Sequence, residues 1–170
     1  ITIFSLNKEN FTLIDVFSAS FNIYLDEMDI RVENIALFKN FLKIFGVTKN
    51  SSDLLQKQIT LKKLDFYGGK SFNLIRTQFY NVNFSFLYSR FDSVLKFKII
   101  IALSQGTISD CKFNTTKSNY NLESSEENDE SFLSISQSNL AIINMMLSGY
   151  ADNNNLNEHI FFEANRSTIT

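Results

Sequence analysis

The heptapeptide TISDCKF (Thr107–Phe113) has similar copies at equal distances on both sides, AIINMML (Ala141–Leu147) later in the chain and NLIRTQF (Asn73–Phe79) earlier. Each copy has an early aliphatic residue and ends in Phe or Leu. The three aligned columns are Leu74, Ile108 and Ile142, then Thr77, Cys111 and Met145, then Phe79, Phe113 and Leu147. A fixed period with recurring apolar positions is typical of a solenoid, whose coils stack equivalent faces.

These columns predict the interior of the solenoid. In an extended strand, alternate residues share a face, which favours inward positions for the Thr77 and Phe79 columns. The Ile108 column has the opposite parity, so it can turn inward only at a corner of the coil. A ladder of Phe79, Phe113 and Leu147 then forms, with about 1.5–3 kcal/mol for each buried side chain.

Most of the remaining chain resembles short strands separated by polar turns, which predicts an all-β fold. Looser copies of the repeat occur at Val32–Leu37 and Leu61–Phe66. The second, LKKLDF, also fits the strand consensus of a leucine-rich repeat, which is the runner-up fold. Between residues 25 and 45, apolar residues recur at i, i+3 and i+4, and Gly46 follows. This spacing predicts either one helix or two strands.

Two polar segments interrupt the repeats, and we interpret both as exposed loops carried on the solenoid. They lie near residues 115–130, which include the acidic run ESSEENDE, and near residues 151–157, which include DNNN. Both ends of the chain read as strands, ITIFS and RSTIT, without the polar caps of a complete solenoid. We therefore expect residues 1–170 to be one solenoid domain or part of a longer β-helix.

Composition limits the class of partner. The 170 residues include 18 Phe, no Pro and no Trp, and the net charge is −2. Such a charge gives no electrostatic basis for binding nucleic acid or an anionic membrane. The longest apolar stretch, Leu95–Leu103, is far shorter than the roughly 20 residues of a membrane-spanning helix. We therefore expect no membrane span and no nucleic-acid partner.

The run SFLSISQSNLAIINMMLSGY (Ser131–Tyr150), followed by HIFFEANRSTIT (His159–Thr170), resembles the coils of a right-handed parallel β-helix of the pectin-lyase-like type. Large protist surface proteins with such domains have a similar texture, rich in Ile, Asn and Phe and poor in Pro. The resemblance covers residues 58–170 well and residues 1–57 poorly. It implies a prism-like stack with Phe, Leu and Ile inside and Asn or Ser at the turns.

Residues for chemistry are few, and we expect no enzyme activity and no cofactor. His159 is the only His, which leaves one candidate base for a Ser/His/Asp triad and no two-His metal site. Cys111 is the only Cys, so no disulfide forms within the chain, and its aligned position indicates a small buried apolar residue. The run 152–158 is rich in oxygen ligands but lacks the Gly of an EF-hand loop. No catalytic and no metal-binding residue is therefore predicted.

Five N-x-S/T sequons are candidate N-glycosylation sites, a number close to what this composition gives by chance. They are Asn10, Asn50, Asn83, Asn114 and Asn165. The favoured function is a structural domain of an extracellular or cell-surface glycoprotein that stacks end to end on copies of itself or on adjacent repeats. The alternatives are a module that recognises glycan or protein on a lateral face, with Tyr67, Tyr80 and Tyr88 as candidates, and, behind it, a polysaccharide-processing enzyme.

Overall fold

The computed structural model describes residues 2–4, 11–33, 38–47, 57–67, 75–93, 97–115, 132–148 and 162–170. Every regular element in these ranges is a β-strand. The strands are β1 (Thr2–Phe4), β2 (Phe11–Ser18), β3 (Phe21–Glu33), β4 (Phe38–Gly46), β5 (Lys57–Tyr67), β6 (Ile75–Tyr80), β7 (Asn83–Leu87), β8 (Arg90–Ser93), β9 (Phe97–Ala102), β10 (Gln105–Ser109), β11 (Lys112–Thr115), β12 (Leu133–Ser136), β13 (Asn139–Ile143), β14 (Met146–Ser148), β15 (Phe162–Asn165) and β16 (Thr168–Ile169).

The strands form two parallel sheets. The large sheet has ten strands, and the small sheet has six, in the order β15-β12-β9-β6-β4-β2. The chain visits the small sheet once and the large sheet twice, then repeats the circuit. We call each circuit a coil and its three strand positions first, second and third. β6, β7 and β8 make one coil, and β9, β10 and β11 make the next. This all-β, parallel arrangement is consistent with a β-solenoid.

Two corners connect the three strands of a coil, and the spacing of both is constant from β6 onward. The first corner joins the first and second strand positions, and the second corner joins the second and third. Across the second corner, the last inward residue of the second strand and the first inward residue of the third strand are five apart, as in Phe86 and Phe91 or Ile108 and Phe113. In β3 and β5 the second corner lies within one long strand. Length varies in the connection between the third position of one coil and the first position of the next, and also in the first corner between β4 and β5.

Most of the described corners contain one non-glycine residue with a positive φ. At the first corner these are Asn81, Leu103, Gln137 and Arg166, with φ between 48° and 55° in each. At the second corner they are Glu27, Lys63, Tyr88, Asp110 and Asn144, with similar φ. Such left-handed residues are uncommon outside glycine. Here each one reverses the inward and outward alternation of the strand, so that apolar residues on both sides of the corner face the interior.

Aromatic rings fill much of the interior. Phe79 and Phe84 face each other across the first corner, with ring centroids 4.3 Å apart and planes within 5°. Phe91 and Phe113 stack in adjacent coils at 4.9 Å. These rings belong to one apolar cluster of fully buried residues. Offset and edge contacts of this kind add about 0.5–1.5 kcal/mol per pair beyond the area that they bury.

The prediction of a helix near residues 25–45 is wrong, because β3 and β4 occupy residues 21–33 and 38–46. The left-handed Glu27 explains the misleading pattern. It adds one residue to the alternation, so that Leu25, Met28 and Ile30 all point toward the core. Their spacing then imitates a helical period. The leucine-rich alternative also differs from the structure, in which LKKLDF belongs to a coil that crosses two parallel sheets.

The even period of the three heptapeptides holds for only one pair of coils. Ile108 pairs with Ile142, and Phe113 pairs with Leu147. The residues that pair with Ile108 and Phe113 from the preceding coil are Phe86 and Phe91, which lie closer in the chain. Phe79 is buried, but it lies in the small sheet opposite Ile101. A stack of Phe79 on Phe113 is therefore not present, because the connection from β8 to β9 lacks the insert that separates β11 from β12.

Candidate functional site

Serine hydroxyls form a vertical ladder at the first corner. The Ser104 hydroxyl donates to the carbonyl of Ala102 (2.7 Å) and accepts from the amide of Val82 in the coil before it (3.2 Å). Ser138 and Ser167 make the same pair of contacts, each with its own carbonyl two residues earlier and with the amide one coil before. These hydroxyls satisfy backbone groups at the corner. Their role is therefore structural rather than nucleophilic.

Cys111 occupies the equivalent position at the second corner. Ser89 stands there one coil earlier, where its hydroxyl donates to Leu87 and accepts from the amide of Leu64. The Cys111 thiol likewise donates to the carbonyl of Ser109, at 3.3 Å. Burial raises the pKa of the Cys111 thiol to about 11, and hydrogen bonds with the backbone of Ser89 and Ser109 only partly oppose this. A neutral, buried thiol is a poor nucleophile and a poor metal ligand.

Met145 follows Cys111 in this corner column, and it is partly buried at the edge of the core, as are Ile142 and Leu147. Ile108, Cys111 and Phe113 in the preceding coil are fully buried. The columns that begin at Ile108, Cys111 and Phe113 thus run from fully buried residues in one coil to partly buried residues in the next coil, at one end of the stack.

Polar pairs cover the outside of the second corner. The Lys63 ammonium binds the Glu27 carboxylate at 2.5 Å, and the hydrogen bond and charge of Glu27 raise the pKa of Lys63. Further along, the Asn144 amide donates to Asp110 at 3.0 Å. Hydrogen bonds from Ser109 and then Asn144 lower the pKa of Asp110. These contacts link successive coils through exposed side chains, each of which stabilises the fold weakly.

The sequons lie in different surroundings. The Asn114 amide donates to Asp92 at 2.5 Å, and its carbonyl oxygen accepts from the Ser148 hydroxyl. Asn83 is half-buried and is the first residue of β7, in register with Gln58 and Gln105. Asn165 is exposed at the end of β15. Asn165 is therefore the most accessible of these three for a glycan. Asn10 and Asn50 lie outside the described residues.

The candidate tyrosines do not form one surface. Tyr80 lies on the small sheet, where its ring stacks on Phe45 at 5.5 Å in the preceding coil, and Phe45 is in register with the exposed Phe17. Tyr88 is exposed at the second corner, and Tyr67 is exposed on the third strand position. Three separate columns therefore carry the three rings. The stacked rings of Phe45 and Tyr80 cover part of each other's faces, which are the surfaces that a sugar ring would need.

Among the described residues, inward-facing apolar side chains are incompletely covered at the two ends of the stack. The partly buried apolar residues packed against the core come from β2 and β3 and from residues 142–147 of β13, β14 and the corner between them. At one end they are Leu13, Ile14, Val16, Phe21, Ile23, Leu25 and Met28, and at the other end Ile142, Met145 and Leu147. Sequence analysis predicted uncovered ends from the terminal strands, but it did not identify these residues. Met28, Met145 and Leu147 face inward because the left-handed residues Glu27 and Asn144 reverse the alternation of the strand before them.

The described ranges contain few groups of side chains that could bind a metal ion or catalyse a reaction. No group of three or more His, Cys, Asp or Glu residues there is close enough to hold a metal ion. No helix in the same ranges is long and apolar enough to span a membrane. His159, the acidic run 123–130 and the segment 151–157 lie outside the described residues. The fully buried Lys57, whose ammonium has no hydrogen-bond partner among the described residues, is a feature that the sequence did not indicate.

Comparisons of the chain with protein-family models, with curated proteins and with solved structures found no match. Function must therefore be inferred from the geometry of the coils, their outer columns and their ends.

Proposed function

We propose that this chain is a structural module of an extracellular or cell-surface glycoprotein, a right-handed parallel β-helix that is lengthened by further coils at its ends. The observation that carries the proposal is the confinement of partly buried, inward-facing apolar residues to the two end coils. Apolar surface in water is unfavourable by about 25 cal/mol per Å², and a parallel strand at an open edge presents unpaired backbone groups. Additional coils would cover both.

The proposed handedness rests on a general rule for parallel strands. A connection that leaves a strand and returns to a parallel neighbour in the same sheet is right-handed in about 98% of cases. The described strand pairs of the two sheets are parallel, and the chain repeats the same circuit between the sheets. The proposed right-handed winding agrees with the resemblance to pectin-lyase-like coils noted in the sequence.

The lateral faces favour a scaffold over recognition. The outer columns near the corners are occupied by pairs that bind each other, such as Lys63 with Glu27 and Asn114 with Asp92. The three exposed tyrosines are on separate columns. A recognition surface instead needs convergent groups of unsatisfied polarity around an apolar centre. A stiff spacer needs no such surface.

Cryo-electron microscopy of the protein as isolated tests the proposal, together with mass spectrometry of its asparagine-containing peptides. We expect rods in which right-handed coils continue beyond the first and last coils described here, and a glycan on Asn165. Isolated particles with both ends covered by polar caps, and with every asparagine unmodified, would overturn the proposal.

A further inference from the structure

Lys57, the first residue of β5, is fully buried, and its ammonium has no hydrogen-bond partner among the described residues. Gln58 is in register with Asn83 of the next coil, so Lys57 is in register with Val82. The amide of Val82 in turn donates to Ser104, the first hydroxyl of the serine ladder. Lys57 therefore lies on the inward column of the first corner, in a place that serine occupies in later coils.

The stem of Lys57 is enclosed by the chain at the end of β4. A Cβ atom built on Gly46 would lie 2.5 Å from Cδ of Lys57 and 2.2 Å from the carbonyl oxygen of Asn81. The buried Asn81 carboxamide donates to the Gly46 carbonyl at 3.0 Å. Glycine at this position therefore leaves room for the lysine stem, and the corner holds that stem inside the coil.

The positive charge of Lys57 is not balanced by the side chains that surround it. Its partners in register are Phe21 and Val82. Gly46 and Asn81 flank its stem, and none of these four residues carries a negative charge. Burial of an ion costs several kcal/mol even after the protein relaxes. A water molecule would satisfy the hydrogen bonds of the ammonium, whereas an anion would satisfy them and also balance the charge.

We propose that the Lys57 ammonium binds a small monovalent inorganic anion such as chloride, inside the first corner between β4 and β5. This inference goes beyond the proposed function, because it assigns a ligand to the interior of the scaffold. A monovalent ion matches the single charge of the ammonium. A dianion such as sulfate would leave a buried charge uncompensated. Since only the folded chain encloses Lys57, the bound anion stabilises the fold by mass action.

Thermal unfolding at constant ionic strength, with sodium chloride exchanged for sodium gluconate, tests the site. Above the dissociation constant, each tenfold rise in chloride should raise the Tm by about 3–5 °C for a chain of this size. Lys57→Met keeps an apolar stem and removes the charge, so the Tm of this variant should not depend on chloride. Lys43→Met, which removes an exposed ammonium close to Asp15, is the matched control and should keep the chloride dependence.

Crystals of the natural chain grown in sodium bromide give a second measurement that needs no variant. We expect an anomalous peak beside the Lys57 ammonium. Peaks confined to exposed side chains would mean an adventitious ion only and would overturn the proposal. An equal chloride dependence in the natural chain and in Lys57→Met would also overturn it, because the effect would then arise elsewhere. The absence of any chloride effect on the natural chain would show that the ammonium needs no ion.

Discussion

Gly106 is a position where one added methyl group should clearly change stability. It lies inward on β10, between Phe84 in the preceding coil and Leu140 in the next. A Cβ atom built on Gly106 would lie 2.2 Å from Cε1 and 2.3 Å from Cζ of the Phe84 ring. That ring is also stacked on the buried ring of Phe79, with centroids 4.3 Å apart. The space beside Gly106 is therefore already filled by an aromatic ring that cannot move freely.

The sign of the Gly106→Ala effect distinguishes packing from backbone entropy. In the interior of a strand, replacing Gly by Ala ordinarily stabilises a protein by about 0.5–1 kcal/mol. Overpacking a filled core costs about 1–3 kcal/mol, and contacts near 2.2 Å favour the upper part of that range. We therefore expect Gly106→Ala to lower the free energy of unfolding by about 2 kcal/mol in urea denaturation.

A double-mutant cycle tests the cause. In a Phe84→Leu background the methyl group added at Gly106 has room, so the two substitutions should be coupled by about 1 kcal/mol or more. Thr107→Ala, at the neighbouring half-buried position, is the matched control and should change stability by under about 0.5 kcal/mol. A Gly106→Ala variant as stable as the natural chain would refute the packing argument.

The other predictions concern the corners and the sequons. Cys111→Ser should change stability by under about 1 kcal/mol, since Ser89 occupies the same corner position; the native thiol, with its pKa near 11, should resist iodoacetamide at pH 8 and react after unfolding. Glycopeptide mapping of protein secreted from eukaryotic cells should find Asn165 occupied more fully than Asn114, and the reverse order would contradict the assigned exposures. The folded state lowers the pKa of Asp110 below its ordinary 3.8, so this group adds stability above that pH and loses it as pH falls through the folded value. Asp110→Asn should therefore differ from the natural chain near pH 7 and converge with it in strong acid, in paired thermal melts; a difference that persists there would exclude the ionised carboxylate as its cause.

The sequence predicted that short strands stack in a solenoid better than it predicted which residues pair between neighbouring coils. The column of Phe113 and Leu147 was recognisable because both residues follow a second corner of the same length. Phe79 resembled them by spacing alone, yet it precedes a first corner. Stacked residues are separated by a short interval where the connection has no insert and by a long interval where it has one. Without homologous sequences, these two intervals are hard to recognise as equivalent coils.

The left-handed residues at the corners were the larger feature that the sequence analysis did not predict. Residues such as Glu27, Leu103 and Tyr88 adopt a positive φ although their side chains do not favour it. Only the stacked coils, through backbone bonds such as that from the Leu103 amide to Ser136, hold them there. At these three residues a tertiary cause leaves no local sequence signal, so the inward parity of the strands beside them could not be predicted.

The variable third connection has a practical consequence. The path from Phe91 to Ile99 is less than half as long in sequence as the path from Phe113 to Leu133, yet both arrive in register on the small sheet. Since closing a longer loop costs only about 0.6 kcal/mol for each doubling of its length, such changes are inexpensive. This connection is therefore the natural place to graft a foreign peptide, because display at a fixed interval along a rigid rod would not require redesign of the strands.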